Sequence, residues 1–357
     1  MDLTTLQTIT HNFVKELEDA KSGKKTSLPF AVNHLRTSPM VKDGEEFQVL
    51  VIGGTMCKNA RVKKEGEKII ILSLQEVTQP PIITKGDFLR FLDKHIFSDV
   101  SVVALNFAYE MQSVFDNDKL DGILIRPSKE HTFTGLVGEK VGATIETYIK
   151  ETRNQDIAVS CANDTICLLL SGLIKAKWEH LAAGIVGTGF NIAIFLDEHT
   201  AVNLESGSFK NFPQSEAGKT IDATSAKPGQ AIFEKEVSGG YLFKHFNMLI
   251  KKRRIDYQEI NSTWELKKLA LKNIPVVSDL AKELIHYSAS LVACQIAGIT
   301  LFMKHDMTFI MDGSFFWDEK IYIDYVESRL KELVPQHKIN FIKVKDTTVV
   351  GAAKLVA

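Results

Sequence analysis

Cysteine is scarce in this 357-residue chain, and the four present, Cys57, Cys161, Cys167 and Cys294, are scattered. They form no CxxC pair and no dense framework, which argues against a disulfide scaffold or a structural zinc site and fits a reducing cytosol. An excess of either charge is also missing. The 43 Lys and Arg nearly cancel the 44 Asp and Glu, leaving no basic field for nucleic acid and no acidic tail. Small molecules are therefore the expected partners. No secretory signal is expected either, because Leu3, Leu6, Ile9, Phe13 and Leu17 fall at helical spacing among polar residues, with no basic region before an apolar core. The apolar run from Leu291 to Met303 is short for a membrane span and contains Gln295 and Gly298, so a buried helix is expected and no membrane partner. The three tryptophans, Trp178, Trp264 and Trp317, share no spacing that would build a stacking platform, and packing is expected for them.

What is present is ample apolar material: 45% of residues are hydrophobic, enough for a sizeable core, and the length prompts a two-domain reading. An amphipathic helix opens the chain and a polar connector follows at Lys21 to Lys25. Phe47 to Ile52, Ala60 to Val62 and Lys68 to Leu74 read as a β-meander with a turn at Glu65-Gly66. Phe88 to His95 and Gly138 to Glu151 have helical character, Val100 to Phe107 is an apolar strand, and Val276 to Met303 is a long apolar helical tract.

Two features carry chemistry. Asn163-Asp164-Thr165 closes the apolar segment Ile157 to Ala162 and opens the helical segment Ile166 to Ile174, so a carboxylate stands where a strand hands over to a helix. Asp164 there could be a helix cap or a catalytic base. Ala183 to Val186 is a buried strand running into Gly187-Thr188-Gly189, whose backbone N–H groups could hold phosphate oxygens. The same pattern stands at Val49 to Thr55, ending in Gly53-Gly54-Thr55, and at Phe309 to Ser314, ending in Asp312-Gly313-Ser314. One glycine turn is weak evidence, but its recurrence points to a polyphosphate.

Taken in order, these segments resemble the hexokinase family of the actin-like ATPase superfamily, from Val49 to Ala353. Asn163-Asp164-Thr165 is similar to the family's strand-to-helix Asn-Asp-Thr, and Gly187 to Asn191 to its second phosphate loop. Asn203 to Phe209 is similar to its Asn-x-Glu-Trp-Gly-Ala-Phe. Pro228-Gly229-Gln230, Phe233-Glu234-Lys235 and Ser238 to Leu242 match a further stretch of the family pattern. The resemblance implies an α/β, two-domain actin-like ATPase (ribonuclease H-like) fold with a ligand cleft between the domains. The expected parts are 1–45 as an N-terminal helix and connector on the large domain, 46–160 as the small domain, 161–350 as the large domain, and 351–357 as a short C-terminal segment. It also implies ATP- and Mg²⁺-dependent phosphorylation of a hexose, glucose first, at its 6-hydroxyl in the cytosol, with cleft closure on sugar binding.

On that resemblance Asp164 accepts the proton of the 6-hydroxyl, and Asn163, Asn191, Glu205 and Glu234 hydrogen-bond the ring hydroxyls. Leu124 to Lys129 resembles the family's Leu-Ile-x-Trp-Thr-Lys loop. This puts Ser128 and Lys129 on the sugar and Lys129 also on the transferring phosphate. Gly53, Gly54, Thr55, Gly187, Thr188, Gly189, Asp312, Gly313, Ser314 and Gly351 would line the nucleotide; no protein metal site is expected. The resemblance also has departures. Val51 stands where the family has an Asp that helps organise the Mg²⁺ shell, Met56-Cys57-Lys58 replaces Asn-Phe-Arg, Ala108 a serine, and Ser206 a tryptophan. A non-catalytic sugar sensor is the alternative that Val51 keeps open. A zinc-bearing kinase of the bacterial repressor-related group is a further one, disfavoured by the absence of a His and Cys cluster.

Overall fold

The structure is a computed structural model that describes residues 1–127, 130–318 and 320–357. The chain opens with helix α1 (Leu3–Lys21), strands β1 (Ala31–His34), β2 (Glu46–Ile52), β3 (Met56–Glu65) and β4 (Lys68–Thr78), and helix α2 (Lys85–Asp93). Next come β5 (Val102–Phe107), β6 (Glu110–Asp116), β7 (Lys119–Arg126), α3 (Val141–Arg153), β8 (Ala158–Ala162) and α4 (Asp164–Ser171). Then follow β9 (Leu181–Val186), β10 (Phe190–Asp197), β11 (Thr200–Asn203), α5 (Glu216–Thr224), α6 (Ile232–Val237), α7 (Leu242–Lys252) and α8 (Thr263–Leu271). The last elements are α9 (Val277–Met303), β12 (Met307–Asp312), α10 (Ser314–Trp317), α11 (Lys320–Leu333), β13 (Ile339–Ile342) and α12 (Thr347–Ala353).

Contacts group the chain into two compact units, each built from separated segments. The first holds Met1–Phe30, Gly184–Ile192 and Leu204–Lys343; the second holds Ala31–Ala183, Ala193–Asn203 and Val344–Ala357. This interleaving differs from the contiguous spans 46–160 and 161–350. Segments distant in sequence complete one another's packing, and composition along the chain carries no mark of that.

In the second unit β2, β3 and β4 form the expected antiparallel meander, while β2 pairs in parallel with β5 and β5 with β8, giving the order β4-β3-β2-β5-β8. The parallel strands are buried, which is why they read as apolar runs: Leu50, Ile52, Val103, Leu105 and Val159 share a core with Phe88 of α2 and Ile145 of α3. Helix α2 starts at a reciprocal capping box between Thr84 and Asp87. Because β2, β5 and β8 run parallel, their C-terminal ends fall on one edge of the sheet. There they hand over to Gly53-Gly54-Thr55, Ala108-Tyr109 and Asn163-Asp164, the edge at which open α/β sheets bind ligands. Leu124 to Arg126, expected as loop, are strand: they belong to a β6–β7 hairpin whose turn residues Asn117 and Asp118 both take positive φ. Asn and Asp tolerate that conformation, which suits the twist of paired strands.

The first unit is organised on α9, against which α1, α8 and α11 pack. Its 27 residues coincide with the helical tract expected from Val276 to Met303; by length and composition the helix could cross a membrane, unlike the shorter run from Leu291, but 83% of its apolar window is buried within the fold. Gly298 lets α1 come close, since an added Cβ would sit 2.8 Å from the Phe13 ring. Leu6, Ile9, Phe13 and Leu17 are buried as expected, whereas Leu3 is exposed. Strands β12 and β13 pair in parallel in this unit. All four cysteines are free and buried.

Candidate functional site

In the first unit β9 ends in the turn Gly187-Thr188-Gly189, and two backbone bonds fix its peptides. The Gly187 carbonyl accepts from the Gly239 N–H at 2.7 Å and the Thr188 carbonyl from the Gly240 N–H at 3.0 Å. In a trans peptide the N–H points opposite to the C=O, so the N–H groups of Thr188 and Gly189 face away from Gly239-Gly240, the arrangement of an anion-binding turn. Only glycine fits opposite: a Cβ would lie 2.8 Å from the Gly187 oxygen at position 239 and 2.6 Å from the Thr188 oxygen at position 240.

Asp312-Gly313-Ser314 at the end of β12 is brought against this turn, with Gly313 at φ +105 and packed on the Val186 carbonyl. The Asp312 carboxylate accepts from the Gly313 N–H at 2.7 Å. A cavity of about 160 Å³ beside the turn is lined by Gly187, Thr188, Gly239, Thr263, Trp264, Lys267 and Ser314. The Lys267 ammonium there is almost buried and lies 3.6 Å from Asp318. Trp264 corrects an expectation: it is 59% exposed at this cavity, with the Lys268 ammonium 3.2 Å from its ring centre, and does not pack in the core. It stands on a short helix whose inner face is already filled by Leu266, Leu269 and Ala270.

Three residues expected on the sugar converge next to the same turn. Glu234, on α6, accepts from the Phe190 N–H at 3.0 Å. Its carboxylate lies so close to Gly189 that an added Cβ there would be 3.0 Å from Oε2. Burial pushes the Glu234 carboxyl above its ordinary range, with the Phe190 N–H and the Lys235 charge pulling the other way. Asn191 accepts through Oδ1 from the N–H groups of Ile192 (2.8 Å) and Ser206 (3.2 Å), which ties it to the segment carrying Glu205. Glu205 itself takes φ 50, a left-handed conformation uncommon for a non-glycine residue, of the kind that concentrates at functional sites. Lys235 is bound to Asp222 at 2.5 Å and to Ser225 and the Lys227 carbonyl, and so anchors α6.

In the second unit Asn163 is the N-cap of α4, accepting from the Thr165 N–H at 2.9 Å, and Asp164 is the first helical residue. The Asp164 carboxylate also accepts from the Thr165 N–H, at 2.8 Å. Asn163 donates to the Tyr109 carbonyl at 3.3 Å and accepts from Asn203 at 3.5 Å. Asn203 therefore orients Asn163. It stands only two residues before Glu205 in the matched motif, which is the signal that could have found it. Gly53-Gly54-Thr55 joins β2 to β3, with the Gly53 N–H donating to the Met56 carbonyl at 3.2 Å. Val51, at the end of β2, is buried and in register with Asn106 of β5. Gly351 has a packing reason of its own: an added Cβ would collide with the Cys167 carbonyl of α4. Ser128 and Lys129 lie outside the described residues. No group of three His, Cys, Asp or Glu that could hold a metal is found among the described residues.

A family model described as hexokinase matches residues 181–252 and 250–357. Hexokinase-2 of Saccharomyces cerevisiae is 26% identical over 273 residues, 67% of this chain and 56% of the relative, so the match spans little more than half of that protein. Hexokinase-1 of Arabidopsis thaliana is 23% identical over 415 residues, 93% of this chain and 83% of the relative. Among solved structures, a Schistosoma mansoni hexokinase complexed with glucose superposes with a TM-score of 0.77 at 18% identity, covering all of this chain and 95% of that one. A ROK family glucokinase from Streptomyces griseus in complex with glucose and AMPPNP gives 0.58 at 16% identity, covering 87% and 99%. The fold is accordingly the α/β actin-like ATPase fold.

Proposed function

The chain belongs to the hexokinase family, and we propose that it transfers the γ-phosphoryl group of ATP to the 6-hydroxyl of a hexose, with glucose the first substrate, in the cytosol. The observation that carries this reading is a phosphate-type turn and a sugar-type cluster side by side in one unit: Thr188 and Gly189 aim N–H groups away from Gly239-Gly240, and Asn191, Glu205 and Glu234 gather at the next residues. Carboxylates and amides supply the mixed acceptors and donors that sugar hydroxyls require.

In this reading Asp164 accepts the proton of the 6-hydroxyl as that oxygen forms its bond to the γ-phosphorus, and the bond from phosphorus to the β,γ-bridging oxygen breaks to release ADP. A positioned base of this kind contributes ~10²–10⁴-fold. Lys129 and Ser128 are assigned to the same event by the family motif, Lys129 stabilising charge on the phosphoryl oxygens. The cavity beside Thr188 and Ser314 takes the nucleoside side of ATP. Mg²⁺ supplies charge neutralisation when bound; with Val51 apolar and no three-ligand cluster described, it would be held by the nucleotide phosphates and water. Domain closure on sugar binding belongs to the same proposal.

The test is direct detection of sugar phosphate after incubation with Mg-ATP and glucose, fructose, mannose or glucosamine, with Asp164→Asn alongside. Product that vanishes in the variant supports the kinase. Sugar binding without product favours the second reading, a sugar sensor, for which buried Val51 is the specific observation.

A further inference from the structure

The two glycine turns are fixed in different ways. At Gly187-Thr188-Gly189 the partners are backbone N–H groups. At Gly53-Gly54-Thr55 all three carbonyls are also occupied, but two of the three donors are side chains: the Tyr109 hydroxyl donates to the Gly53 carbonyl at 2.5 Å, and His131 Nε2 bonds the Gly54 carbonyl at 2.6 Å. The third donor is the Gln79 N–H, 2.8 Å from the Thr55 carbonyl.

The His131 ring has only one tautomer that serves. Its Nδ1 accepts from the Ile82 N–H at 2.8 Å, so Nδ1 carries no proton, Nε2 does, and Nε2 donates to Gly54. Burial fixes the ring in place: His131 is 5% and Tyr109 2% exposed, and both pack edge-on or tilted against Phe133. With the carbonyls of Gly53 and Gly54 held on this side, planar trans peptides put the N–H groups of Gly54 and Thr55 on the other. That is again an anion-binding turn, but one whose shape depends on two side chains.

We propose that Tyr109 and His131 are positioning residues that set the affinity of the first turn for the phosphates of a nucleoside triphosphate. The proposal rests on the kinase reading for the identity of the ligand, but not for its geometry. Neither residue needs to touch the nucleotide. Their effect passes through the peptide planes of Gly53 and Gly54, and the position of His131, far along the chain from the turn, hides it from any local motif.

The test measures binding of Mg-ATP, adenosine and glucose separately, by calorimetry, to the full chain and to His131→Phe, His131→Gln and Tyr109→Phe. Glutamine can both accept from Ile82 and donate to Gly54, whereas phenylalanine can do neither. The expected result is Mg-ATP binding weakened about 5- to 10-fold in His131→Phe and Tyr109→Phe, near wild type in His131→Gln, with adenosine and glucose unchanged. Equal Mg-ATP affinity in His131→Phe and the wild type would overturn the proposal, as would parallel losses for ATP and adenosine or a wild type that binds no ATP. Should His131→Phe fail to fold, Tyr109→Phe decides by the same comparison. A wild type that binds ATP through the clamp yet transfers no phosphoryl group would sink the kinase reading and leave this inference standing.

Discussion

The turn at Gly187–Gly189 is held by backbone and the turn at Gly53–Thr55 mainly by two side chains, and the two kinds of clamp differ in what they tolerate. A backbone clamp is demanding at the glycines that supply it, because Gly239 and Gly240 approach carbonyl oxygens more closely than any Cβ allows. The side-chain clamp leaves Gly53 freer, since a Cβ there would meet only the Met56 oxygen at 3.3 Å. Its weakness lies at Tyr109 and His131. The sequence shows the same asymmetry. The motif around the second turn matches the family pattern closely, while the segment around the first has Val51 and Met56-Cys57-Lys58 in place of family residues.

The strongest break of the catalytic reading is Asp164→Asn, which removes the base but keeps the helix start, because Asn163 is the cap. The expected outcome is a ~10²–10⁴-fold fall in kcat with sugar affinity little changed, read by steady-state kinetics and sugar calorimetry. The comparison of clamps is tested next by Gly240→Ala against Gly53→Ala. Overpacking on a backbone oxygen costs about 1–3 kcal/mol, so Gly240→Ala should lower the urea midpoint and weaken ATP at least tenfold. Gly53→Ala should do clearly less of both, and equal losses would erase the distinction.

Glu234→Gln probes the proposed sugar cluster beside the second turn. Losing a charged acceptor should weaken hexose binding by about 1.5–3 kcal/mol. In the wild type, burial raises this carboxyl, so hexose affinity should fall as pH drops through a value above the ordinary carboxylate range, and the Gln variant should lack that dependence. Calorimetry across the acidic range checks both.

The smallest effect on ligands is expected at Glu236, whose carboxylate is engaged by the Ser215 N–H and hydroxyl at the start of α5. Burial pushes its carboxyl up from 4.5 to about 7. Between these values the folded protein holds a proton that the unfolded chain has released. The stability from the neutral form is therefore complete below about pH 4.5 and is lost as pH rises to about 7. Urea unfolding should show wild-type stability falling over that window by up to about 3 kcal/mol more than in Glu236→Gln, with sugar and ATP affinity unaffected.

Much of the site was legible because its chemistry is local. A carboxylate at the β8–α4 junction follows from an apolar run, an Asn cap and a helical period, all within a dozen residues. The turn at Gly187–Gly189 is visible for the same reason. The β6–β7 hairpin carries no such local mark because its Asn117-Asp118 turn lacks glycine, and the exposure of Trp264 is hidden because spacing alone does not say which helix face is already filled.

The sequence by itself determined the elements and the chemical identity of the groups, since backbone propensity, capping and apolar period act over a few neighbouring residues. Only the tertiary structure decided which distant groups meet. The interleaved units, the pairing of Asn203 with Asn163, and the reach of His131 to Gly54 all join residues far apart in the chain. The physical reason is that such contacts form when sheets and helices pack, and no local preference of either partner encodes the other's position.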